Sequence, residues 1–270
     1  MIDALKYLIY GLVSGLTEII PASARGHQSV LLLLFGMSQR DPMLDFMSHI
    51  GILSCVIFTC RTQLLYLTGR GRIAQGNTAL TAFDKRLLFS ATLFMTIGLF
   101  FYNSCSKYEM MPLYLALFFL INAVILMIVD HIRQSNKNAS QMGPFDSFLI
   151  GLGSALSVFP GVSRLGSGCA VAIIRGADKQ QAFNWLLILT VPAMCFLLIL
   201  DLIGLFTIGV PGITLWLILG YILAAGASFA GCYIGILLMR FLMFNSGLSA
   251  FSLYSFGASL FAFVLYLVAF

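Results

Sequence analysis

Five long stretches of this chain contain no charged residue, and the shortest of them is 20 residues long. They are residues 87–106, 110–129, 180–200, 202–239 and 241–270. A helix needs about 20 apolar residues to cross a hydrocarbon core of about 30 Å, whereas a membrane β-barrel shows alternation in strands of about 10 residues. Charged residues make up only 9% of the chain, against about 25% in a soluble domain. The sequence therefore predicts an all-α polytopic membrane protein.

A weak internal repeat relates the two halves of the chain. Residues 11–17 resemble residues 151–157 at an offset of 140, and residues 21–25 resemble residues 160–164 at an offset of 139. Each copy has an apolar stretch, then Pro, small residues and Arg, and then a second apolar stretch. Membrane transport folds often arise by such duplication, with the interrupted segments forming a substrate site near the membrane midplane. We therefore expect the two motifs to meet inside the membrane.

The apolar pieces that flank each motif are too short to span a bilayer alone. We expect two re-entrant helix–loop–helix hairpins, near 4–36 and 147–175, because irregular backbone is tolerated at membrane depth only where protein or water surrounds it. Six transmembrane helices complete the layout, near residues 45–61, 86–105, 112–130, 181–203, 212–239 and 247–270. We thus expect a single membrane domain, 1–270, with an inverted-topology repeat of residues 1–135 and 140–270.

The distribution of basic residues predicts the orientation in the membrane. Ten of them fall on one side of the expected layout and three on the other, and the richer side is normally cytoplasmic. The ten are Arg61, Arg70, Arg72, Lys85, Arg86, Arg133, Lys137, Arg175, Lys179 and Arg240, and the three are Lys6, Arg40 and Lys107. Both termini are then expected outside the cell. No basic stretch with interleaved aromatic residues occurs, so we expect no nucleic-acid binding.

Ionisable residues inside apolar segments are costly and mark candidate functional positions. They are Glu18, Arg25, His27, His49, Arg164 and Asp201. Arg25 and Arg164 stand at matching positions of the two motifs, and a guanidinium fork suits phosphate oxygens. Glycines such as Gly166 allow close backbone approach, and a helix that begins there directs N–H groups at an anion. The alternative is that each Arg pairs with Glu18 or caps carbonyl groups of its loop.

Glu18, Ser23 and His27 flank the first motif and are candidates for catalysis. A His can attack phosphorus directly, or it can act as a base for Ser23 or for water. Glu18 can orient the His, take a proton or hold a divalent cation. The alternative is a buried Glu–Arg–His network that serves only the structure. His49 either lines the cavity or bonds a neighbouring helix, of which we favour the second, and Asp201 is expected at the end of a span.

Two motifs give the chain a resemblance to a known family. Residues 14–27 read Ser-Gly-Leu-Thr-Glu-Ile-Ile-Pro-Ala-Ser-Ala-Arg-Gly-His, and residues 160–166 read Pro-Gly-Val-Ser-Arg-Leu-Gly. They resemble the motifs Glu-Gly-Leu-Thr-Glu, Pro and Ser-Ser-Thr-Gly-His, and Pro-Gly-x-Ser-Arg-Ser-Gly, of the bacitracin-resistance type of undecaprenyl-diphosphate phosphatase. The resemblance implies six spans and two re-entrant hairpins in inverted repeats. It also implies removal of the terminal phosphate of undecaprenyl diphosphate at the outer membrane face.

The resemblance also identifies candidate site residues. Those that match the family's catalytic site by position are Glu18, Ser23, His27, Ser163 and Arg164. Combining both lines of reasoning, we expect catalysis by His27, Ser23 and Glu18, and substrate binding by Arg164, Ser163, Arg25 and Gly166. The candidate ligand for a metal cofactor, Mg²⁺ or Ca²⁺, is Glu18.

Four positions depart from the family's motifs. Ser14 replaces the first Glu, which removes a carboxylate pair suited to a divalent cation. Ala24 replaces the second Ser, Arg25 replaces Thr and so adds a cation, and Leu165 replaces Ser. These departures fit a divergent enzyme that relies on the remaining His and Ser. They equally fit a relative that binds the lipid and has lost hydrolysis.

From these observations we expect a phosphatase of the bacterial inner membrane that recycles the carrier lipid of cell-wall synthesis. Its partners would be a polyprenyl diphosphate substrate and membrane lipids, and a homo-oligomer is left open. The alternative is a lipid-phosphate transporter or flippase of the same fold, because inverted repeats whose hairpins meet at the midplane suit alternating access equally well.

Overall fold

The computed structural model describes residues 2–37, 39–68, 82–132, 137, 139–208, 214–245 and 248–269. Its helices are α1 (Ile2–Ile19), α2 (Ala24–Leu34), α3 (Pro42–Thr59), α4 (Arg61–Leu67), α5 (Ala82–Leu99), α6 (Tyr102–Cys105), α7 (Pro112–Asp130), α8 (Pro144–Ala155), α9 (Arg164–Ile174), α10 (Lys179–Ile208), α11 (Leu215–Asn245) and α12 (Ser249–Ala269). Sheet structure in the described ranges is limited to one isolated bridge between Lys137 and Ala177. Three of the basic residues used to predict orientation, Arg70, Arg72 and Arg133, lie outside the described residues. The chain is therefore almost entirely helical, as expected.

Five of the described helices are long and apolar enough to cross a membrane, namely α3, α7, α10, α11 and α12. A sixth span results if α5 is joined to α6 and the turn after it, across a bend of 46°. Large apolar side chains remain exposed on these helices, among them Phe89, Phe206 and Leu253. Such a surface is stable in lipid and not in water. The fold is that of a multi-pass membrane protein.

Helix starts follow from local chemistry. At α3, the Asp41 carboxylate accepts hydrogen bonds from the backbone N–H groups of Met43 and Leu44, and Pro42 occupies the first helical position. Such a cap provides acceptors for N–H groups that have no partner within the helix. Pro is tolerated at the first position because the N–H that it lacks would have no partner within the helix. Pro112 likewise occupies the first turn of α7, where the preceding residue, Met111, provides no side-chain cap. A Pro in the first turn therefore marks the start of both helices, and at α3 the polar cap Asp41 does so as well.

Two short helical hairpins, α1–α2 and α8–α9, meet at their turns. The Ser23 side chain caps α2 by accepting from the N–H of Gly26, and the Ser163 side chain caps α9 by accepting from the N–H of Gly166. Ser23 Oγ also accepts a bond from the backbone N–H of Gly161 at 3.1 Å, which joins the two turns directly. The two motifs found in the sequence therefore come together in space.

These caps correct the sequence alignment of the two turns by one residue. Because Ser23 and Ser163 play the same capping role, the offset of 140 continues through both turns. Arg164 is then the first residue of α9, whereas Arg25 is the second residue of α2. The sequence alignment placed the two Arg residues at matching positions because it matched identical residue types. Hydrogen bonding at the caps sets the actual correspondence, so the two guanidinium groups leave their helices in different directions.

Each hairpin packs on a long helix from the other half of the chain. Helix α1 packs on α11, and α8 packs on α5. Gly11 allows the first contact, because a Cβ atom there would lie 2.2 Å from the carbonyl oxygen of Ala224. Gly151, at the corresponding place in α8, allows the second, because its Cβ would lie 2.5 Å from the carbonyl oxygen of Ala91. Helices α7 and α12 pack together, as do α3 and α10.

Candidate active site where the two hairpins meet

A small polar cavity of about 40 Å³ lies beside the two hairpin turns. The polar and charged side chains on its wall come from five helices and two turns, and they include Glu18, Ser23, Arg25, Gln28, His49 and Arg164. A polar cavity of this volume has room for ordered water.

Arg164 is charged, and one of its nitrogens is buried without a hydrogen-bond partner among the described residues. Its side chain is 5% exposed, and Nη2 donates to Glu18 Oε1 at 2.7 Å and to Thr190 Oγ1 at 2.9 Å. Nε also donates to Glu18 Oε1, at 3.1 Å. Nη1 is buried and has no hydrogen-bond acceptor in the part of the chain that is described. Leaving a buried donor unsatisfied costs about 1–3 kcal/mol, and more for a charged one, so this nitrogen calls for an oxygen acceptor from outside the protein.

Arg25 joins the first hairpin to the second. Its Nε pairs with the carboxylate of Glu109, Nη1 donates to the carbonyl oxygen of Val158 at 2.7 Å, and Nη2 donates to that of Tyr102 at 3.2 Å. The guanidinium carbon lies 3.5 Å from the centre of the Tyr102 ring. Arg25 therefore pairs with a carboxylate and caps carbonyl groups, which was the alternative to phosphate binding. Its carboxylate partner is Glu109 and not the expected Glu18. Its expected role in substrate binding stays a prediction.

Arg40 and Glu109 form ion pairs behind the cavity wall, connected to the lining residue Arg25, and sequence reasoning missed them. Arg40, which was counted as a basic residue of an outer loop, turns inward, and its Nε pairs with Glu109. Its Nη1 contacts Asp45 Oδ2 at 3.1 Å and Gln28 Oε1 at 3.2 Å. The side chain of Glu109 is only 3% exposed and bridges Arg25 and Arg40. Both residues lie between apolar stretches, and no local pattern distinguishes an inward-facing loop charge from a solvated one.

The two serines of the turns serve first as helix caps. Ser23 has a φ of 70°, in the left-handed region that non-glycine residues rarely adopt, and such backbone clusters at functional sites. Ser163 is fixed from both sides, because its N–H donates to Asn122 Oδ1 at 2.9 Å and its Oγ accepts from the N–H of Gly166 at 3.0 Å. A Cβ on Gly166 would lie 2.7 Å from Pro21 Cβ. Gly166 is thus needed where the turns touch.

His27 lies outside the polar cavity. Its Nδ1 donates to the carbonyl oxygen of Ser23 at 2.9 Å, and its Nε2 lies 2.7 Å from the hydroxyl of Tyr254. The ring stacks on Tyr254 and lines a separate apolar groove of about 380 Å³ together with Phe119 and Ala258. The His27 ring therefore does not line the cavity that Glu18, Ser23, Arg25 and Arg164 share. Its expected role in catalysis stays a prediction.

His49 lines the polar cavity and also bonds a neighbouring helix. Its Nδ1 lies 2.6 Å from Asp201 Oδ2 on α10, and the two side chains are 6% and 13% exposed. His49 thus does both of the things that the sequence left as alternatives: it lines the cavity, and it bonds a neighbouring helix. Asp201 lies inside α10 rather than at its end, because the His49 imidazole supplies a hydrogen-bond partner that makes the carboxylate tolerable there.

The carboxylates around the cavity do not fit a divalent cation. Glu18 is bound to Arg164, Glu109 to two guanidinium groups, and Asp201 to a His. Mg²⁺ and Ca²⁺ take six or more oxygen ligands, with anionic carboxylates among them. No group of three His, Cys, Asp or Glu side chains in the described ranges could hold a metal ion. The Ser14 hydroxyl, where the family has a carboxylate, donates to a backbone carbonyl oxygen. We therefore assign no chemical step to a metal.

Comparison with known proteins confirms the resemblance noted from the motifs. A sequence model described as "Bacitracin resistance protein BacA" matches residues 7–261. Undecaprenyl-diphosphatase 1 of Shouchella clausii is 28% identical over 197 residues, which cover 70% of this chain and 71% of that protein. The undecaprenyl-diphosphatase of Desulfatibacillum aliphaticivorans is 27% identical over 240 residues, which cover 84% of this chain and 87% of that protein. The chain therefore belongs to the BacA family of bacitracin resistance proteins.

Proposed function

We propose that this protein is an undecaprenyl-diphosphatase, which hydrolyses undecaprenyl diphosphate to undecaprenyl phosphate and inorganic phosphate. Its membership of the BacA family and its relatives named as undecaprenyl-diphosphatases support this function. They do not favour the alternative, a transporter or flippase without hydrolytic activity. The substrate carries its diphosphate on a membrane-embedded chain, so an anion site inside a multi-pass membrane protein suits it.

The unpartnered Nη1 of Arg164 is the observation that carries this proposal. A guanidinium N–H that is buried, charged and free of an acceptor would bind a phosphate oxygen strongly, because such charge-assisted bonds strengthen where water is excluded. The same Arg164 is the first residue of α9, whose N-terminal N–H groups add positive potential. Glu18 holds the guanidinium in place through Nε and Nη2 and leaves Nη1 for the substrate.

In this role, Arg164 would stabilise the negative charge on the phosphoryl group while that group is transferred. Phosphoryl transfer passes through a loose transition state, so positioning and fixed positive charge supply most of the catalysis. Arg164 would hold the terminal phosphate while the bond between phosphorus and the bridging oxygen breaks. Ser23 remains a candidate nucleophile, since its Oγ accepts two backbone N–H bonds and keeps its own proton to give up. Ala24 has no hydroxyl and takes no part.

We further propose the membrane arrangement expected from the sequence, with six spans and two re-entrant hairpins in inverted repeats of residues 1–135 and 140–270. Three observations support it: the reciprocal packing of α1 on α11 and α8 on α5, the equivalent Ser caps of the two turns, and the bend between α5 and α6. Helices α2 and α9 have 11 residues each, about 16 Å at 1.5 Å per residue, and so cannot cross a bilayer. Both termini would lie on the outer, non-cytoplasmic side of the inner membrane.

The function is tested by phosphate release from undecaprenyl diphosphate. The purified protein in proteoliposomes should release inorganic phosphate and leave undecaprenyl phosphate as the lipid product. The same vesicles report movement of a labelled lipid phosphate between leaflets. Movement of lipid without any release of phosphate would establish the transporter instead.

A further inference from the structure

The imidazole of His49 lines the polar cavity, and one of its two ring nitrogens has no hydrogen bond to the described residues. Nδ1 is occupied by Asp201 Oδ2 at 2.6 Å, and none of the described residues forms a hydrogen bond with Nε2. A carboxylate accepts a bond from Nδ1–H, so the neutral ring carries its lone pair on Nε2. The His49 side chain is among those that line the cavity. The wall of the cavity therefore includes a side chain that can accept a proton.

Arg164 and His49 line the same cavity from different helices. Arg164 comes from α9 and has its unpartnered Nη1, and His49 comes from α3. Glu18, the carboxylate on the same wall, is bound to Arg164 through Oε1. A phosphate oxygen held by Arg164 would thus lie in the cavity whose wall His49 also forms. Water attacking that phosphate needs a group to receive its proton, and such a base lies within one hydrogen bond of the proton it takes.

His27 offers no comparable nitrogen. One of its ring nitrogens is bound to the carbonyl oxygen of Ser23 and the other to the hydroxyl of Tyr254. The ring faces an apolar groove between α7 and α12 rather than the polar cavity. To act on a phosphate at Arg164, His27 would have to give up both hydrogen bonds and rotate away from Tyr254.

We propose that His49, held by Asp201, is the general base of the hydrolysis; this rests on the proposed function. The oxygen of a water molecule forms a bond to the terminal phosphorus as one of its protons moves to Nε2 of His49. The bond between phosphorus and the bridging oxygen breaks, and its electron pair stays on that oxygen, which leaves as undecaprenyl phosphate. Inorganic phosphate carries the other proton of the water, and His49 afterwards returns its proton to a product or to solvent. Asp201 is a positioning residue that orients the ring and stabilises the imidazolium.

The competing explanation is that His49 and Asp201 form only a structural bond between α3 and α10. The variant H49N separates the two roles, because an Asn amide donates a hydrogen bond at the level of Nδ1 and has no basic nitrogen. A structural pair would survive this exchange, whereas a general base would not. His131 provides the matched control, since it is exposed at the end of α7 and bonds only the carbonyl oxygen of Met127 within the described residues.

The experiment measures kcat, KM and the thermal midpoint of wild type, H49N and H131N with undecaprenyl diphosphate. We expect H49N to keep its KM within about threefold and to keep its midpoint, while kcat falls by about 100-fold, within the range typical for loss of a general base. H131N should match wild type. D201N should lower kcat more than it changes KM, whereas a merely structural Asp201 would alter the midpoint and leave kcat unchanged.

The possible outcomes keep this proposal apart from the proposed function. Phosphate release by wild type together with an unchanged kcat in H49N would overturn the assignment of His49 and leave the function standing. No release by wild type would overturn both. If H49N proves unstable, H49Q decides in its place, because it retains the side-chain volume and an amide that can reach Asp201. Full activity of a folded H49Q would likewise overturn the proposal.

Discussion

Arg25 Nη1 donates to the carbonyl oxygen of Val158 at 2.7 Å, and this bond joins the first hairpin to the second. The same guanidinium pairs with Glu109, which also pairs with Arg40 from the segment before α3. Three parts of the chain that are distant in sequence are therefore linked through one buried carboxylate. We conclude that Arg25 fixes the relative position of the two turns, and hence the shape of the polar cavity between them.

Removal of the Glu109 charge should destabilise the protein strongly. The variant E109Q leaves Arg25 and Arg40 without their shared counter-charge in a buried setting, and loss of one partner from a buried ion pair costs about 3–5 kcal/mol. We expect a clearly lower thermal midpoint in detergent. D146N is the control, because its partner Arg175 is 37% exposed and water can solvate the guanidinium group when the carboxylate is removed. An E109Q midpoint equal to that of wild type would show that the bridge contributes little.

The corresponding glycines of the two hairpins should be equally intolerant of a side chain. In G11A the added methyl group would meet the carbonyl oxygen of Ala224, and in G151A it would meet that of Ala91. Overpacking of this kind costs about 1–3 kcal/mol or more, since backbone must move. Gly226 is the matched control, because a Cβ there has no atom within 4 Å. The yield of folded protein and its thermal midpoint report the outcome. Normal folding of G11A or G151A would contradict the close packing.

The unusual backbone of Ser23 leads to opposite expectations for two small substitutions. S23A loses the cap of α2 and keeps a Cβ at a φ of 70°, so we expect a loss of about 1 kcal/mol or more. S23G also loses the hydroxyl, but glycine adopts positive φ without strain and is itself an acceptable cap. Its thermal midpoint should therefore lie above that of S23A. The reverse order would argue against strain at this position.

A chelator should leave the rate of phosphate release unchanged. Glu18 and Glu109 are each bound to guanidinium groups, and Ser14 supplies no charge where the family has a carboxylate. Assays with and without EDTA, at equal ionic strength, check this expectation. As a gain-of-function test, S14E places a second carboxylate one helical turn from Glu18, and Mn²⁺ binding by this variant can be followed by electron paramagnetic resonance. Loss of wild-type activity in EDTA, restored by Mg²⁺ or Ca²⁺, would contradict the donor-set argument.

The spans and the meeting of the two hairpins could be predicted because they depend on patterns along the chain. Uncharged stretches of sufficient length identify helices that cross the membrane, and the repeated Pro–small–Arg motif identifies the turns. The sequence also offered Arg–Glu18 pairing as an alternative, and Arg164 adopts it. These features need only the order of residue types, without knowledge of how each helix is rotated about its axis.

The hydrogen bonds and ion pairs around the cavity could not be predicted, because they depend on the direction in which each side chain leaves its helix. His27 and His49 are both single histidines in apolar segments, yet one faces an outer groove and the other the cavity. Arg40 resembles an ordinary loop charge, but it turns inward and pairs with Asp45, five residues further on, and with Glu109, 69 residues further on. Such pairings arise from tertiary packing, which a local pattern does not encode.

The most direct test of the central claim is phosphate release from undecaprenyl diphosphate by wild type and by R164Q. Gln keeps much of the side-chain length and removes the charge and the unpartnered N–H of Arg164. We expect wild type to release phosphate, R164Q to be slower by about 100-fold or more, and R175Q, at a partly exposed pair, to match wild type. Equal rates for wild type and R164Q would contradict the claim that the cavity between the hairpins binds the diphosphate.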